Sequence, residues 1–229
     1  MSLYHRLLSK ARRDTGRVSL SASDLDFKLK PYLSKRNGFF IEAGANDGLR
    51  QSNTLYYERF RGWRGLLVEA VPELAEQCRR NRPKSRVENC ALVAADHKGA
   101  SIGMTYCNLM SQVDGARGSA EEDRRCLDIG VRNEPVTRYR LDAPARTLTS
   151  LLDQVRPPQI DFFSLDVEGY ELSALRGLDM ARYRPTYLMV EANARPALEE
   201  YLRPWYRHVA DLSGSDILYE ALPGERSAP

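Results

Sequence analysis

Several acidic side chains follow short apolar segments of the sequence, where they could hold a ligand or accept a proton. Apolar segments of this length predict strands of a parallel sheet that is buried on both faces. Ligands bind in a crevice beyond the carboxyl ends of such strands, so we expect these acids to face one cleft. They are Glu42 with Asp47, Glu69, Asp166 with Glu168, and Glu191.

A turn with two glycines follows the first of these predicted strands. Gly44 and Gly48 allow the backbone to turn sharply and to approach a bound ligand closely. The next acid that ends a strand is Glu69, about 20 residues further on, where it would accept hydrogen bonds from the two hydroxyls of a ribose. This layout predicts a site for a nucleoside cofactor.

The acids in and before this turn narrow the choice of cofactor. A dinucleotide site uses three spaced glycines around a pyrophosphate, whereas here Glu42 and Asp47 would repel one. Both carboxylates suit a cofactor that carries an ammonium and a sulfonium group, because opposite charges attract in a partly dry cleft. S-adenosylmethionine carries both groups. The alternative is that Glu42 and Asp47 cap a helix or pair with a surface lysine.

The predicted cofactor site draws on the ends of several strands. The amides around Gly44, together with Asp47, would hold the methionine moiety, and Cys90-Ala91 would flank the adenine. Asn53 and Thr54 would either cap the first helix or contact the cofactor carboxylate. The full set of predicted contacts is Glu42, Gly44, Ala45, Asn46, Asp47, Gly48, Asn53, Thr54, Glu69, Ala70, Cys90, Ala91 and Asp166.

A series of ordered blocks extends this pattern along the chain. They are Glu42-Ala-Gly-Ala-Asn-Asp-Gly48, Ser52-Asn53-Thr54, Gly62-Trp-Arg-Gly65, Leu67-Val-Glu-Ala-Val-Pro-Glu73 and Ile160-Asp-Phe-Phe-Ser-Leu-Asp-Val-Glu-Gly-Tyr-Glu171. Together they resemble the FkbM family of S-adenosylmethionine-dependent methyltransferases, roughly from Gly38 to Asn193. Ala70 departs from the proline that this family often has there. The resemblance implies methyl transfer to a hydroxyl of a sugar or polyketide-type metabolite, as in natural product biosynthesis.

Methyl transfer to an alcohol needs an in-line acceptor oxygen and removal of its proton. The segment from Asp166 to Glu171 is also similar to the Asp-x-Asp-x-Tyr-Glu segment of magnesium-dependent sugar O-methyltransferases. By that resemblance Glu168 would be the base and Asp166 a ligand of Mg²⁺, with Glu191 as a second ligand, so that Asp166 and Glu168 form the catalytic pair. Tyr170 would lie next to the acceptor. The alternative is that Glu168 and Glu171 only cap the following helix.

The rest of the chain predicts an α/β fold of the class I methyltransferase (Rossmann-like) type, a mostly parallel sheet with helices on both faces. An antiparallel edge hairpin is predicted over 207–212 and 216–221. The predicted strands are 39–43, 65–69, 86–93, 160–166 and 186–191, and the predicted helices are 53–60, 72–81, 147–155 and 170–177.

Two segments flank or interrupt the predicted methyltransferase domain, residues 38–222, and a short tail, 223–229, follows it. Residues 1–37 predict a helical arm, with Leu3, Leu7 and Leu8 on one helix and Ser23-Asp24 capping a second. The arm would cover the cofactor cleft, pair two chains as a homodimer, or cover one face of the sheet. Residues 104–138 read as an insertion, with strands at 101–107 and 135–141 around a polar stretch, 114–125, that serves as a lid or as a plain surface loop.

Composition excludes several other classes of function. The chain has 229 residues, 42% of them hydrophobic and 28% charged, and a formal charge of +3, so we expect no nucleic-acid partner. The family resemblance implies a small-molecule or glycosyl acceptor. No apolar run reaches the roughly 20 residues of a membrane span. The first 20 residues lack a secretory signal pattern, which predicts a cytoplasmic protein. The four cysteines and three histidines lack metal-clip spacing, so zinc is not expected.

Two other functions compete with methyl transfer. An NAD-dependent oxidoreductase would explain a cofactor fold, although the missing third glycine and the pair Glu42 and Asp47 argue against it. A non-catalytic binding module would explain the fold without chemistry, although acids at four strand ends argue against it.

Overall fold

The computed structural model describes residues 19–192 and 195–224 of the chain. The predicted helix around Leu3, Leu7 and Leu8 and most of the predicted tail lie outside the described residues. Within them the strands are β1 Phe39–Ala43, β2 Arg64–Glu69, β3 Arg86–Asn89, β4 Ala91–Leu92, β5 Ser101–Tyr106, β6 Gln112–Val113, β7 Tyr139–Arg146, β8 Phe162–Leu165, β9 Tyr187–Glu191, β10 Tyr206–Asp211 and β11 Asp216–Ala221. The α-helices are α1 Leu25–Lys28, α2 Leu55–Arg61, α3 Pro72–Asn81, α4 Ala120–Asn133, α5 Leu148–Val155, α6 Glu171–Arg176 and α7 Arg195–Leu202.

Seven strands form the main sheet, in the order β10-β11-β9-β8-β1-β2-β3. All are parallel except β11, which runs antiparallel to both of its neighbours. The strand order reverses between β1 and β8, where Ile41 lies opposite Leu66 on one side and Phe163 on the other. The predicted class I fold with an antiparallel edge hairpin is confirmed, and the reversal fixes where a ligand cleft opens.

Both faces of this sheet are buried because neighbouring residues of each central strand point to opposite faces and both are apolar. In β1, Phe40 packs with α1, α2 and α3 on one face, through residues such as Tyr57 and Cys78. The next residue, Ile41, packs with α5, α6 and α7 on the other face, through residues such as Leu152. Two apolar layers therefore hold the carboxyl ends of the strands in place.

The segment 91–146 differs from its prediction. The predicted strand 86–93 divides at Cys90, because β3 pairs with β2 whereas β4 pairs with β7 in a second sheet of order β4-β7-β5-β6. The predicted strand 135–141 begins only at Tyr139 and continues to Arg146. Much of the polar stretch 114–125 belongs to helix α4, whose first turn is capped by the Ser119 hydroxyl accepting from the Glu122 amide.

The described part of the arm covers one face of the sheet. Leu25, Leu29 and Leu33 are buried against β1 and β2, and Ala22, Ser23 and Leu25 also line the cleft described below. The predicted cap by Ser23 and Asp24 is wrong: both have left-handed φ values, of 50° and 56°, and make no capping hydrogen bond. Instead the Ser21 hydroxyl accepts from the Asp26 amide.

Helix α7 was not predicted, although Leu198 and Leu202 bury it against the sheet. Within residues 19–192 and 195–224, none of the helices has the length and apolarity needed to cross a membrane.

Candidate active site

One cleft opens beyond the carboxyl ends of β1, β2, β8 and β9. Its volume is about 350 Å³. Most of the predicted site residues line it, which shows that the topology brings together acids distant in sequence. Those lining it are Glu42, Gly44, Ala45, Asn46, Asn53, Glu69, Ala70, Cys90, Ala91, Asp166, Glu168, Tyr170 and Glu191.

The glycine turn forms the floor of the cleft. Gly44 has a φ of +79°, and the amides of Gly44 and Ala45 both donate to the Val68 carbonyl. The Asp166 amide donates to the Ala43 carbonyl, which holds the end of β8 against the turn. Two strand ends and the turn therefore make one rigid surface.

Glu69 stands at the end of β2 with both carboxylate oxygens bonded to this floor. One oxygen accepts from the Asn46 amide and the other from the Val71 amide, both at 2.8 Å. Burial raises the pKa of Glu69 above its ordinary value, although these amides act in the opposite direction. Each oxygen keeps a second lone pair for a hydroxyl in the cleft.

Three predicted cofactor residues, Asp47, Gly48 and Thr54, do not line the cleft. The Asp47 carboxylate accepts from the amides of Leu49 and Arg50 and so caps its own turn. The Thr54 hydroxyl is fully buried and donates to Glu42. The side chains of Asp47 and Thr54 therefore shape the loop between β1 and α2.

Glu42 is buried at the centre of that loop. Its carboxylate accepts from the Asn53 amide at 2.8 Å and from the Ser52 hydroxyl at 2.9 Å. The fully buried Arg82 lies 3.6 Å away, and the same guanidinium pairs with Glu58 at 3.0 Å. The alternative given by the sequence was that Glu42 and Asp47 cap a helix or pair with a surface lysine. Instead Asp47 caps its own turn, and Glu42 belongs to a buried network with Arg82.

The wall near β4 is apolar and suits a planar base. Cys90 and Ala91 lie there as predicted, together with Leu74, Met104 and Val113. Burial raises the pKa of the Cys90 thiol to about 12, so this sulfur is a neutral lining group.

Three carboxylates meet at the opposite side of the cleft. Oxygen atoms of Asp166, Glu168 and Glu191 all lie within 4.8 Å of one another. Desolvation within the cleft, followed by the charges of Glu191 and Glu168, raises the pKa of Asp166 above its ordinary value, although its side chain is open to the cleft. Burial and Glu191 raise the pKa of Glu168 to about 8, against the opposing effect of Arg117. Such mutually raised pKa values are typical of sites that handle protons.

The turn after β8 holds Glu168 in this cluster. Glu168 has a left-handed φ of +54°, which a non-glycine residue rarely adopts. The Glu171 carboxylate accepts from the amides of Val167 and Gly169, at 3.1 and 2.9 Å, so Glu171 closes the turn before α6 and does not cap that helix. Glu168 makes no capping bond either and points instead to Arg117, 2.8 Å away.

Sequence reasoning missed several residues that border the cleft. Arg117 reaches the cluster from the insertion, and the turn Asn108–Met110 lines the rim. Ser213, Ser215 and Asp216 line it from the predicted hairpin, because β11 of that hairpin pairs with β9.

The donor set of the cluster fits a hard divalent cation such as Mg²⁺, which prefers carboxylate oxygens. The fit is incomplete, because one oxygen of Glu168 already accepts from Arg117.

A family model described as the methyltransferase FkbM domain matches residues 42–212, three quarters of the chain. The chain belongs to the FkbM methyltransferase family. The match runs from the end of β1 to the residue after β10 and includes most of the residues that line the cleft, so the resemblance found in the sequence is confirmed. Family and fold together support S-adenosylmethionine as the cofactor.

Several solved methyltransferases are similar to this chain at low identity. A TehB-like SAM-dependent methyltransferase from Corynebacterium glutamicum is 12% identical, covers 96% of each chain and has a TM-score of 0.45. A methyltransferase from Geobacter sulfurreducens is 13% identical over 96% of this chain and 88% of its own, with a TM-score of 0.45. These scores add nothing to the family assignment. No curated protein matches the sequence.

Proposed function

We propose that this FkbM methyltransferase transfers the methyl group of S-adenosylmethionine to a hydroxyl of a sugar or polyketide-type metabolite. The observation that carries the proposal is the cluster of Asp166, Glu168 and Glu191 in the same cleft as the Gly44 turn and Glu69. An alcohol is a poor nucleophile until its proton leaves, and these carboxylates offer a place for that proton.

Each part of the cleft has a distinct role in the proposal. Glu69 would accept hydrogen bonds from the ribose hydroxyls, the turn at Gly44 would lie against the methionine moiety, and the wall at Cys90 and Ala91 would cover the adenine. The bound cofactor supplies a methyl group whose bond to sulfur breaks as the acceptor oxygen bonds to its carbon. Glu168 takes the hydroxyl proton, and Asp166 helps to hold the acceptor beside Tyr170.

The resemblance to magnesium-dependent enzymes implies a divalent ion, as an alternative to Arg117 as the cation of the cluster. Asp166 and Glu191 would hold it, and it would acidify the acceptor hydroxyl. The proposal for Glu168 as the base does not depend on this ion.

Three other expectations remain proposals. The insertion 104–138 is proposed to act as a lid, because its turn Asn108–Met110 and β6 border the cleft. A homodimer and a cytoplasmic location are proposed from the sequence alone, and light scattering and fractionation would test them.

Calorimetric titration with S-adenosylmethionine, S-adenosylhomocysteine and NAD tests the cofactor. We expect S-adenosylmethionine and S-adenosylhomocysteine to bind and NAD not to bind, whereas binding of NAD alone would favour the oxidoreductase alternative.

Transfer of a radiolabelled methyl group is then measured on a panel of glycosides, hydroxylated polyketide-type compounds and, as a third arm, RNA. Labelled methyl ethers are expected in the first two arms. Labelling of RNA alone, or cofactor binding without transfer in any arm, would contradict the proposal.

A further inference from the structure

The carboxylate cluster carries its own cation, Arg117, supplied by the insertion. We propose that Arg117 is the positioning residue of Glu168 and that its charge competes with a divalent cation for the cluster of Asp166, Glu168 and Glu191. The description of Glu168 as a base rests on the proposed function, but the competition between arginine and metal does not.

The loop before α4 fixes where Arg117 points. The Asp123 carboxylate accepts from the amides of both Gly115 and Arg117, which closes the turn between β6 and α4. The guanidinium Nε donates to the Gln112 side chain at 3.4 Å. Gln112 is itself buried, so both ends of this segment are anchored in the small sheet and α4.

The guanidinium then bonds to the cluster. Its Nη2 lies 2.8 Å from a carboxylate oxygen of Glu168, and both side chains are only 14% exposed. Charge-assisted hydrogen bonds of this kind are strong where water is largely excluded. The pair therefore fixes the direction of the Glu168 carboxylate.

Gly169 makes room for this contact. Its φ is +99°, and a Cβ at this position would lie 3.1 Å from Cγ of Arg117. The bare backbone lets the arginine stem lie across the turn that carries Glu168. The conformation of the turn at Gly169 is therefore compatible with the ion pair between Arg117 and Glu168.

The charge balance explains why such a cation is needed. Three carboxylates within 4.8 Å repel one another unless a positive charge or a proton intervenes. Among ion pairs of the described residues, 19–192 and 195–224, only that of Arg117 reaches the cluster. A divalent ion bound to Glu168 would meet the positive charge of Arg117 nearby, so the two compete.

Binding of Mn²⁺ to the full chain tests the proposal. It is measured as the loss of the free-ion signal in electron paramagnetic resonance. Arg117→Ala should bind Mn²⁺ at least about tenfold more tightly than the wild type, because a unit charge has been removed a few ångströms away. Arg117→Lys keeps the charge and should bind like the wild type. The matched control is Arg138→Ala, which breaks a pair with Asp128 on the same insertion, at 2.8 Å.

A double variant identifies the site at which Mn²⁺ binds more tightly. Adding Glu168→Gln to Arg117→Ala should abolish the tighter Mn²⁺ binding. Equal affinity of the wild type and Arg117→Ala, or a gain that survives Glu168→Gln, would overturn the proposal. Calorimetry with S-adenosylhomocysteine on each variant shows that the variant is folded. The same measurement separates the proposed function from the role of Arg117. If the wild type does not bind S-adenosylhomocysteine, the proposed function is removed, whereas the Mn²⁺ comparison still decides the role of Arg117.

Discussion

The backbone of Asp166 lies where a side chain of residue 44 would begin. A Cβ placed on Gly44 would come within 1.8 Å of the Asp166 carbonyl oxygen. The contact arises because β1 and β8 are adjacent and the turn after β1 crosses the end of β8. Because Gly44 has no side chain, the turn that forms the floor of the cleft can lie against the strand end that carries the acidic cluster.

Gly44→Ala is therefore expected to destabilise the chain and to abolish cofactor binding. The left-handed φ costs an alanine about 1–2 kcal/mol, and the overlap with Asp166 adds about 1–3 kcal/mol of packing strain. Urea unfolding and calorimetry with S-adenosylhomocysteine measure both effects. Gly214→Ala is the control, because a Cβ there meets nothing within 4 Å. Wild-type stability and affinity in Gly44→Ala would contradict the close approach.

Glu69→Ala is expected to weaken binding of S-adenosylmethionine by about 1.5–3 kcal/mol, the contribution of hydrogen bonds to a charged group. The variant also leaves the Asn46 and Val71 amides without their acceptor, so its thermal stability must be checked separately. Calorimetry on the folded variant gives the affinity. An unchanged dissociation constant would remove Glu69 from the ribose site.

The raised pKa of Glu69 predicts how this affinity depends on pH. Because burial makes the carboxyl take up a proton at a higher pH than an ordinary glutamate, the ribose acceptor is lost as the pH falls through that raised pKa. As the pH falls, the affinity of the wild type for S-adenosylmethionine should decline before the pH reaches ~4.3, the ordinary pKa of a glutamate. Glu69→Gln cannot titrate, so its affinity should lack this component of the decline. Identical pH profiles for the two proteins would contradict the assignment.

Arg82→Leu is expected to destabilise the chain by about 3–5 kcal/mol, because it leaves buried carboxylates without their partner. Arg82 is fully buried and bonds to Glu58, Ser52, Thr54 and the Gly48 carbonyl, all within 3.0 Å. Denaturant unfolding measures the loss. Arg80→Leu is the control, because its pair with Glu76 is exposed and should matter little. Equal stability of the two variants would show that the buried network is dispensable.

The sequence predicts the main sheet and the convergence of acids because both follow from local patterns. Phe40 and Ile41 are apolar on successive positions, which indicates a strand buried on both faces. Once such strands are parallel, the acids at their ends must share one edge, as Glu69, Asp166 and Glu191 do.

Contacts between distant loops could not be predicted in the same way. Glu42 and Arg82 are both charged, and nothing in the sequence indicates that folding buries them together. Arg117 and Glu168 are 51 positions apart, and their pair depends on how the small sheet sits over the cleft. Helix α4 was missed because its sequence is mostly polar and only Asp123, Leu127 and Gly130 are buried.

Residues 112–126 are predicted to become protected from hydrogen exchange when S-adenosylhomocysteine and an acceptor bind. The amides of the turn 114–118 donate to scattered acceptors such as the Asp123 carboxylate, whereas α4 from Ala120 onward has a helical ladder, so the change should be largest in the turn. Mass spectrometry of exchanged peptides measures it. Equal exchange with and without ligands would make the segment a plain surface loop.

Glu168→Gln is expected to retain cofactor binding and to lower the rate of methyl transfer by about 10²- to 10⁴-fold, the usual effect of losing a general base. The amide can still accept a hydrogen bond from Arg117 but cannot take the hydroxyl proton. Single-turnover transfer to an acceptor identified in the panel measures the step, and Glu200→Gln on the exposed side of α7 is the control. Since Arg117 supplies the cation, chelator should leave the wild-type rate unchanged. Loss of activity with chelator and its recovery with Mg²⁺ would contradict the arginine proposal, whereas wild-type turnover by Glu168→Gln would remove the base.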